Sequence, residues 1–334
     1  MSRFRLPEKL KSATPQIAAL LFVLFADRLA FSGFFTISTH DDRLYGALVD
    51  VFVRGAPVGI LAIGMSLVIA TKGVDLSVGA IIAISGAIAA TLAQSDQPLA
   101  LIVAASLGAG LVCGLWNGIL VAIFDIQPII ATLILMVAGR GIAQLITGGH
   151  ILTFTDPALQ AISSANIVFL PMPVAITIGL LAVVLALTRK TALGLLIESV
   201  GTNRQASVYA GINTPVVILV AYAISGLCAS VAGLIVCADI RGADSNNAGL
   251  WMELDAILAV VIGGTSLLGG RFSVILALVG ALIIQGINAG ILLSGFPPEM
   301  NLIVKAVVIV SILILQSPAI RTWFVLFAVP GGRK

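Results

Sequence analysis

Charged residues are scarce in this sequence. Asp, Glu, Lys and Arg together make up 10% of its 334 residues, whereas about 25% is usual in soluble domains. Hydrophobic residues make up 59%. This composition excludes an ordinary soluble globular fold and indicates a polytopic membrane protein. The net charge of +3 says little about binding partners, and we expect no nucleic acid among them.

Histidine and cysteine are almost absent as well. The two histidines lie in polar connecting segments, and the three cysteines lie inside apolar runs without the spacing of metal ligands. We therefore expect no metal site and no histidine-based triad. The sequence also lacks G-x-x-x-x-G-K-[ST], G-x-S-x-G and H-E-x-x-H motifs. We predict a chain that is not an enzyme, with no catalytic residue, no cofactor and no ATP site of its own.

Long apolar runs, by contrast, recur along the whole chain. About ten of them have the length of roughly 17 to 25 residues that spans a bilayer. Helices are the open-chain structure that spans lipid without stranding backbone polar groups. We therefore predict an all-α fold, a polytopic helical bundle in which residues 1–334 form a single transmembrane domain. The predicted spans are 16–36, 55–71, 76–94, 99–123, 128–147, 169–188, 215–238, 255–270, 273–294 and 301–318.

The charges in the loops orient this bundle. Basic residues concentrate near both ends of the chain and in the loop 189–214, whereas the loops 37–54, 148–168 and 239–254 carry seven of the 15 acidic residues. Cytoplasmic loops are enriched in Lys and Arg. We therefore expect both termini in the cytoplasm and the three acidic loops on the outer side.

One inward loop, GLLIESVGTNRQASVYAGIN at 194–213, carries signals for a short helix. Thr202 or Asn203 is suited to an N-cap, and Gly211 is suited to a left-handed helix ending. Such a short helix is unstable alone in water, so it must dock. The sequence leaves two surfaces open: the protein's own cytoplasmic face, or a partner protein.

Another polar stretch, TKGVDLSVGA, begins at Thr71, between the second and third predicted spans. We expect Lys72 to meet anionic headgroups at the cytoplasmic turn. Asp75 would lie near the start of the next helix, where its charge suits the helix dipole. A capped, anchored turn and a role in gating both remain open.

Polar residues also occur inside predicted spans. Each can either form an interhelical hydrogen bond or line a path through the protein. As neutral groups they suit an uncharged, hydroxyl-rich solute better than an ion. Arg140 is a further, charged polar residue at this depth. The predicted path residues are Asn117, Thr132, Gln144, Gln285 and Asn288.

Five motifs in collinear order resemble the permeases of bacterial ATP-binding-cassette sugar importers of the ribose type. They are GVDLSVGA, GLWNGILVAIFDIQPIIATLILMVAGRG, ESVGTNRQASVYAGIN, ELDAILAVVIGGTSLLGG and NAGILLSGFPPEMNLIVKAVVIV. The resemblance runs from about Ala56 to Gln316. The stretches ATLILMVAGRG, ADIRGADSNNAGLWMELDAILAVV and SGFPPEMN most resemble permeases of galactofuranose importers. Many relatives have GGIDLS where this chain has KGVDLS.

The resemblance implies partners and roles. Such permeases reside in the bacterial inner membrane, pair as homodimers or heterodimers, and work with cytoplasmic ATPases and a periplasmic sugar-binding protein. It implies an inner-mouth signature at Lys72, Asp75 and Ser77. It implies an ATPase-coupling segment that includes Glu198, Gly201, Asn203, Arg204, Ala206, Gly211 and Ile212. The outer residues expected to dock the binding protein are Asp239, Arg241, Asp244, Asn246, Asn247 and Glu253.

The predicted function is therefore membrane translocation of a sugar, with galactofuranose as the leading candidate and ribose or a hexose as alternatives. Two other classes stay open. An ion-driven secondary transporter would take up its solute without ATP or partners. A membrane enzyme acting on lipid-linked sugars would need clustered acids, and Asp239, Asp244, Glu253 and Asp255 do cluster in sequence, though without a histidine.

Overall fold

The computed structural model describes residues 8–40, 43–295, 297 and 300–316, and most of them are helical. The chain divides into two compact units, residues 1–286 and residues 287–334, and each is described by itself. The helices are α1 (Glu8–Ala30), α2 (Ala47–Ala70), α3 (Val78–Gln94), α4 (Leu99–Ala122), α5 (Pro128–Thr147), α6 (Pro157–Ser164), α7 (Met172–Lys190), α8 (Leu193–Thr202), α9 (Arg204–Tyr209), α10 (Thr214–Ile240), α11 (Met252–Ile262), α12 (Val274–Leu293) and α13 (Met300–Gln316).

Seven helices of the described part are long and apolar enough to cross a membrane: α1, α2, α4, α5, α7, α10 and α12. Each of the ten predicted spans overlaps one helix, which agrees with a polytopic helical membrane protein. Two of the remaining helices, α3 and α13, have 17 residues each. The predicted span 255–270 differs most, because α11 has only 11 residues. At 1.5 Å per residue it is roughly 16 Å long, about half the hydrocarbon thickness.

Helix α11 is short because glycines follow it. Gly264, Gly269 and Gly270 all have positive φ, a conformation that L side chains disfavour. The sequence analysis counted these glycines within an apolar run, whereas in the structure Gly264 lies just after the end of α11 and Gly269 and Gly270 lie in the connection that follows it.

Helices α2, α3 and α10 form the centre of the first unit. Their neighbour α4 crosses α10 at close range because both carry glycines at the contact. A Cβ on Gly110 would lie 2.5 Å from the Gly226 carbonyl oxygen, and a Cβ on Gly118 would lie 3.0 Å from the Leu219 Cα. Small residues at such crossings let helix backbones approach closely, which is how membrane helices gain packing without a hydrophobic driving force.

Short strands tie the connecting segments together at one end of the bundle, a feature that the all-α prediction did not include. β3 (Leu152–Thr153) pairs antiparallel with β6 (Gly242–Ala243), which joins the α5–α7 and α10–α11 connections. We call this end the strand face. Two further antiparallel pairs are β1 (Ser38–His40) with β2 (Arg43–Tyr45), and β4 (Asn166–Ile167) with β5 (Leu170–Pro171).

The opposite ends of α2, α3 and α10 meet a second group of segments. These are the turn 71–77, the turn 123–127, the helices α8 and α9, and the connection 263–273. The Gly270 amide donates to the Ala70 carbonyl at 2.9 Å, which joins the connection 263–273 to the end of α2. We call this end the α8–α9 face. The loops that the sequence analysis assigned to opposite sides of the membrane thus lie at opposite ends of the helices.

Candidate functional site: two polar faces joined by a buried cluster

The residues that flank α9 fix where this helix begins and ends. The Asn203 side-chain oxygen accepts from the Ala206 amide at 3.0 Å and so caps the first turn. Gly211 has a φ of 81° and follows the last turn, where the Ile212 amide donates to the Ser207 carbonyl at 3.0 Å. The predicted cap at Asn203 and the predicted left-handed glycine are both confirmed. Helix α8, which directly precedes Asn203, was not predicted.

An open groove of about 460 Å³ lies between α8 and α9. Four predicted coupling residues line it: Glu198, Asn203, Ala206 and Ile212. Large apolar side chains stand out beside it, since Tyr209 is 81% exposed and Leu195 is 70% exposed. Exposed apolar side chains rimmed by polar ones are typical of a surface that binds another protein.

Two further coupling candidates, Arg204 and Gly201, contact other parts of the bundle. Arg204 forms an ion pair with Asp125 at 2.7 Å in the α4–α5 turn. Gly201 is buried, and a Cβ there would overlap the Ala70 carbonyl oxygen and lie 2.7 Å from the Gly270 amide nitrogen. These two residues join the α8–α9 segment to the bundle and do not line the groove.

The turn 71–77 also contacts α8. Lys72 has a φ of 67°, and its Nζ donates to the Thr202 carbonyl at 3.3 Å. The sequence analysis expected Lys72 to meet lipid headgroups. That contact stays a prediction, and the structure adds that the exposed ammonium donates to the last residue of α8.

Asp75 lies at the centre of a buried hydrogen-bond cluster, which we call the Asp75 cluster: Asp75, Ser77, Asn117 and Ser225. One carboxylate oxygen accepts from the Ser77 amide at 3.1 Å and the Ser77 hydroxyl at 2.6 Å. The other accepts from the Ser225 hydroxyl at 2.8 Å. Asn117 Nδ2 donates to the Ser77 hydroxyl at 2.8 Å and lies 3.5 Å from the carboxylate.

The Asp75 cluster corrects one expectation and supports another. Asp75 does precede the first turn of α3, as predicted. However, its side chain is completely buried between helices, a position that the prediction of a cytoplasmic turn did not include. Sequence reasoning did not select Ser225, because a serine in an apolar run gives no sign of the residue that it contacts.

The predicted path residues do not form one site. Asn117 and Thr132 are fully buried, and the Thr132 hydroxyl donates to the Val74 carbonyl at 3.2 Å, so both join helices to the turn 71–77. Gln144 lies at the strand face and donates to Asn246 at 2.7 Å. Gln285 packs against α2, where a Cβ on Gly55 would lie 3.3 Å from its Cγ. Asn288 lies on the part of α12 that belongs to the second unit.

Most of the predicted docking residues do lie at the strand face. Asp239 accepts from the Ser163 hydroxyl at 3.0 Å, and Arg241 is exposed, with the left-handed φ of 53° that ends α10. Asp244 accepts from the amides of Asn246 and Asn247 at 3.0 and 3.2 Å. Burial alone would raise the pKa of Asp244, but these hydrogen bonds, the Asn247 side chain and the Arg140 charge lower it.

Glu253 is the exception, because it is only 3% exposed. It lies in the first turn of α11, against Gly79 at the beginning of α3. The preceding segment enters the bundle with it, and a Cβ on Gly249 would lie 2.5 Å from the Gly79 carbonyl oxygen. Its assignment to the docking surface is therefore wrong: the chain turns inward after Asn247 and carries Glu253 between helices.

Arg140 holds this inward segment. Its Nη1 donates to the carbonyls of Ser245 and Ala248 at 3.1 and 2.6 Å, and the Thr147 hydroxyl lies 2.9 Å from the Ser245 hydroxyl. Irregular backbone at membrane depth needs protein partners for its polar groups. The intramembrane arginine, to which the sequence analysis gave no role, supplies them.

The seven long apolar helices of the described part indicate a multi-pass membrane protein. Residues 47–313 match the family described as "Branched-chain amino acid transport system / permease component", and the chain belongs to this family. It is accordingly a permease of the bacterial inner membrane.

The chain is similar to several sugar permeases. It is 58% identical to the galactofuranose transporter permease protein YtfT of Escherichia coli K12, over 94% of this chain and 91% of that one. It is 40% identical to the fructose import permease protein FruF of Bifidobacterium longum, over 85% and 81%. It is 36% identical to the ribose import permease protein RbsC of Escherichia coli K12, over 90% and 92%. No solved structure matches the chain.

Proposed function

We propose that this chain is the membrane-spanning permease subunit of an ATP-binding-cassette importer that carries galactofuranose across the inner membrane. The observation that carries this proposal is the 58% identity with a galactofuranose transporter permease over nearly the full length of both chains. The lower identities with fructose and ribose permeases favour the same class of importer and make their sugars the alternatives.

We further propose a topology of ten spans with both termini in the cytoplasm and the whole chain acting as one permease domain. The charge pattern supports this orientation, since the α8–α9 face carries Lys72, Arg189, Lys190, Arg204 and Arg271. In this arrangement the α8–α9 face is cytoplasmic and the strand face is periplasmic.

In this topology we expect three protein partners. A separate cytoplasmic ATPase would bind the groove between α8 and α9, where Val208 and Tyr209 are exposed. A periplasmic sugar-binding protein would dock on the strand face, where Asp239, Arg241 and Asn246 are exposed. A second permease chain, the same or different, would complete the path, which would also involve Gln285 and Asn288. Annular lipid would surround the helices.

ATP binding and hydrolysis would move α8 and α9, and access to the path would then alternate between the two sides. The contacts that support this mechanism are those of Gly201 with the end of α2 and of Lys72 with the end of α8. Because the buried Gly201 leaves no space between α8 and the Ala70 carbonyl, and the exposed Lys72 adds a hydrogen bond to Thr202, displacement of α8 would displace the turn 71–77.

Uptake by cells that express this chain with its partners tests the proposal. We expect labelled galactofuranose to accumulate, unlabelled ribose and fructose to compete weakly, and ATP depletion to stop uptake. Uptake that survives ATP depletion but stops with an uncoupler would favour the ion-driven transporter instead. The enzyme alternative has less support, because the matching family and the similar proteins are permeases.

A further inference from the structure

The turn 71–77 lies between two sets of contacts. On one side it meets α8: Lys72 donates to the Thr202 carbonyl, and the buried Gly201 lies against the Ala70 carbonyl that immediately precedes the turn. The Gly270 amide donates to the same Ala70 carbonyl at 2.9 Å. The turn is thus attached to the segment that would bind an ATPase.

On its other side the turn meets three helices. Within the Asp75 cluster, Ser225 of α10 donates to Asp75, and Asn117 of α4 donates to Ser77. Thr132 of α5 and Tyr222 of α10 donate to the Val74 carbonyl at 3.2 and 3.4 Å. Asp75 is the member that joins the turn to α10 through its own side chain, because its two carboxylate oxygens face different donors.

A carboxylate suits this position for a chemical reason. Its two oxygens accept several hydrogen bonds at once, and all the groups directed at it here are donors. Within the described part of the chain no basic side chain forms an ion pair with Asp75. The hydrogen bonds from Ser77 and Ser225 must all break before the turn and α10 separate, so the cluster resists being pulled apart.

We propose that Asp75 is a positioning residue that makes α4 and α10 follow the turn 71–77 when α8 and α9 move. The inference rests on the proposed function, because it assigns to one buried side chain the transmission of an ATPase-driven movement. A positioning role differs from simple packing: loss of the carboxylate should change how much transport each ATP supports, and not only how much protein folds.

The test uses the tagged full-length chain, purified as the complete complex and reconstituted in proteoliposomes with its sugar-binding protein. Sugar transported per ATP hydrolysed is the readout, next to the basal ATPase rate and the yield of complex. The variants are Asp75→Ala and Asp75→Asn. An asparagine keeps one acceptor oxygen toward Ser77, and its amide can donate to the Ser225 hydroxyl, so it preserves the link.

We expect Asp75→Ala to lower the transport-to-ATP ratio roughly tenfold, within the range for residues that couple two sites, while the basal ATPase rate stays near that of wild type. Asp75→Asn should restore most of the ratio. A wild-type ratio in Asp75→Ala would overturn the proposal. So would an Asp75→Asn ratio as low as that of Asp75→Ala, because the hydrogen-bond link would then not be the cause.

Two serines of α10 provide a matched pair in case Asp75→Ala fails to assemble. Ser225→Ala removes one bond to Asp75, whereas Ser230→Ala removes a buried hydroxyl that bonds only within its own helix, to the Leu227 carbonyl at 2.9 Å. Ser225→Ala should lower the ratio severalfold and Ser230→Ala should leave it unchanged; equal ratios would overturn the proposal. If wild type itself recruits no ATPase, the proposed function fails, and not the role of Asp75 alone.

Discussion

Gly201 is the residue at which α8 and the end of α2 approach most closely. The position has no room for a side chain, since a Cβ would overlap the Ala70 carbonyl oxygen. A larger residue must displace either α8 or the beginning of the turn 71–77. The tight contact is therefore where the α8–α9 segment gains its fixed position on the bundle.

Replacement of Gly201 by Ala should destabilise the chain by about 1 to 3 kcal/mol, the usual cost of overpacking a close contact. The thermal unfolding midpoint of the detergent-solubilised chain measures this. Gly179→Ala is the matched control, because a Cβ there meets no atom within 4 Å. Equal midpoints for the two variants would contradict the contact.

Gly211 acts through its backbone conformation. Its φ of 81° is open to glycine, tolerable for asparagine and strongly disfavoured for a β-branched residue. Gly211→Val should distort the end of α9 and uncouple sugar uptake from ATP hydrolysis, whereas Gly211→Asn should stay coupled. Normal uptake by Gly211→Val would exclude α9 from the coupling mechanism.

Among the elements, α9 could be predicted from sequence and the Asp75 cluster could not. The cap at Asn203 and the glycine at 211 act on neighbouring backbone groups, so local sequence is enough to find them. Ser225 is 150 positions from Asp75, and only the packing of α10 against the turn 71–77 brings the two together. Single-sequence patterns do not contain that information.

The same contrast between local and distant contacts explains why the apolar runs could be predicted from the sequence and the inward segment could not. A membrane helix satisfies its own backbone, so the long spans could be predicted from hydrophobicity alone. The segment from Asp244 to Trp251 satisfies part of its backbone through Arg140, which lies more than 100 positions away. Its depth in the bundle, and hence the burial of Glu253, could not be inferred from composition.

Removal of the Arg140 guanidinium should release this segment. In Arg140→Met the carbonyls of Ser245 and Ala248 lose their donor, and each buried unsatisfied group costs about 1 to 3 kcal/mol. We expect faster amide hydrogen exchange over residues 244–251 and unchanged exchange in α9. Gln144→Ala, which removes one exposed bond a turn further along α5, is the control and should show little change. Equal exchange over residues 244–251 in both variants would contradict the role of Arg140 in holding this segment.

At the scale of the whole molecule, the two faces differ in the surfaces that they offer to the proposed partners. The strand face offers exposed polar groups and the α8–α9 face offers an open groove with apolar rims. Buried polar contacts connect the α8–α9 face to the central helices. This division fits a protein that receives a solute at one end and a mechanical input at the other.

Charge reversal tests the strand face. Arg241→Glu should raise the concentration of sugar-binding protein that half-maximally stimulates ATP turnover, by roughly threefold to tenfold, because exposed charges mainly govern encounter between partners. The effect should shrink at high salt. Lys190→Glu, at the opposite end of the chain's helices, should leave that concentration unchanged. An unaltered value for Arg241→Glu would remove this residue from the docking surface.

We propose that this permease works with a separate ATPase, and mild extraction of the tagged chain from native membranes tests this most directly. Mass spectrometry identifies what co-purifies. We predict a P-loop ATPase in stoichiometric amount, with or without a second permease chain, and its loss in a Tyr209→Asp variant that places a charge beside the groove. A chain that purifies alone under every mild condition would contradict a separate ATPase partner.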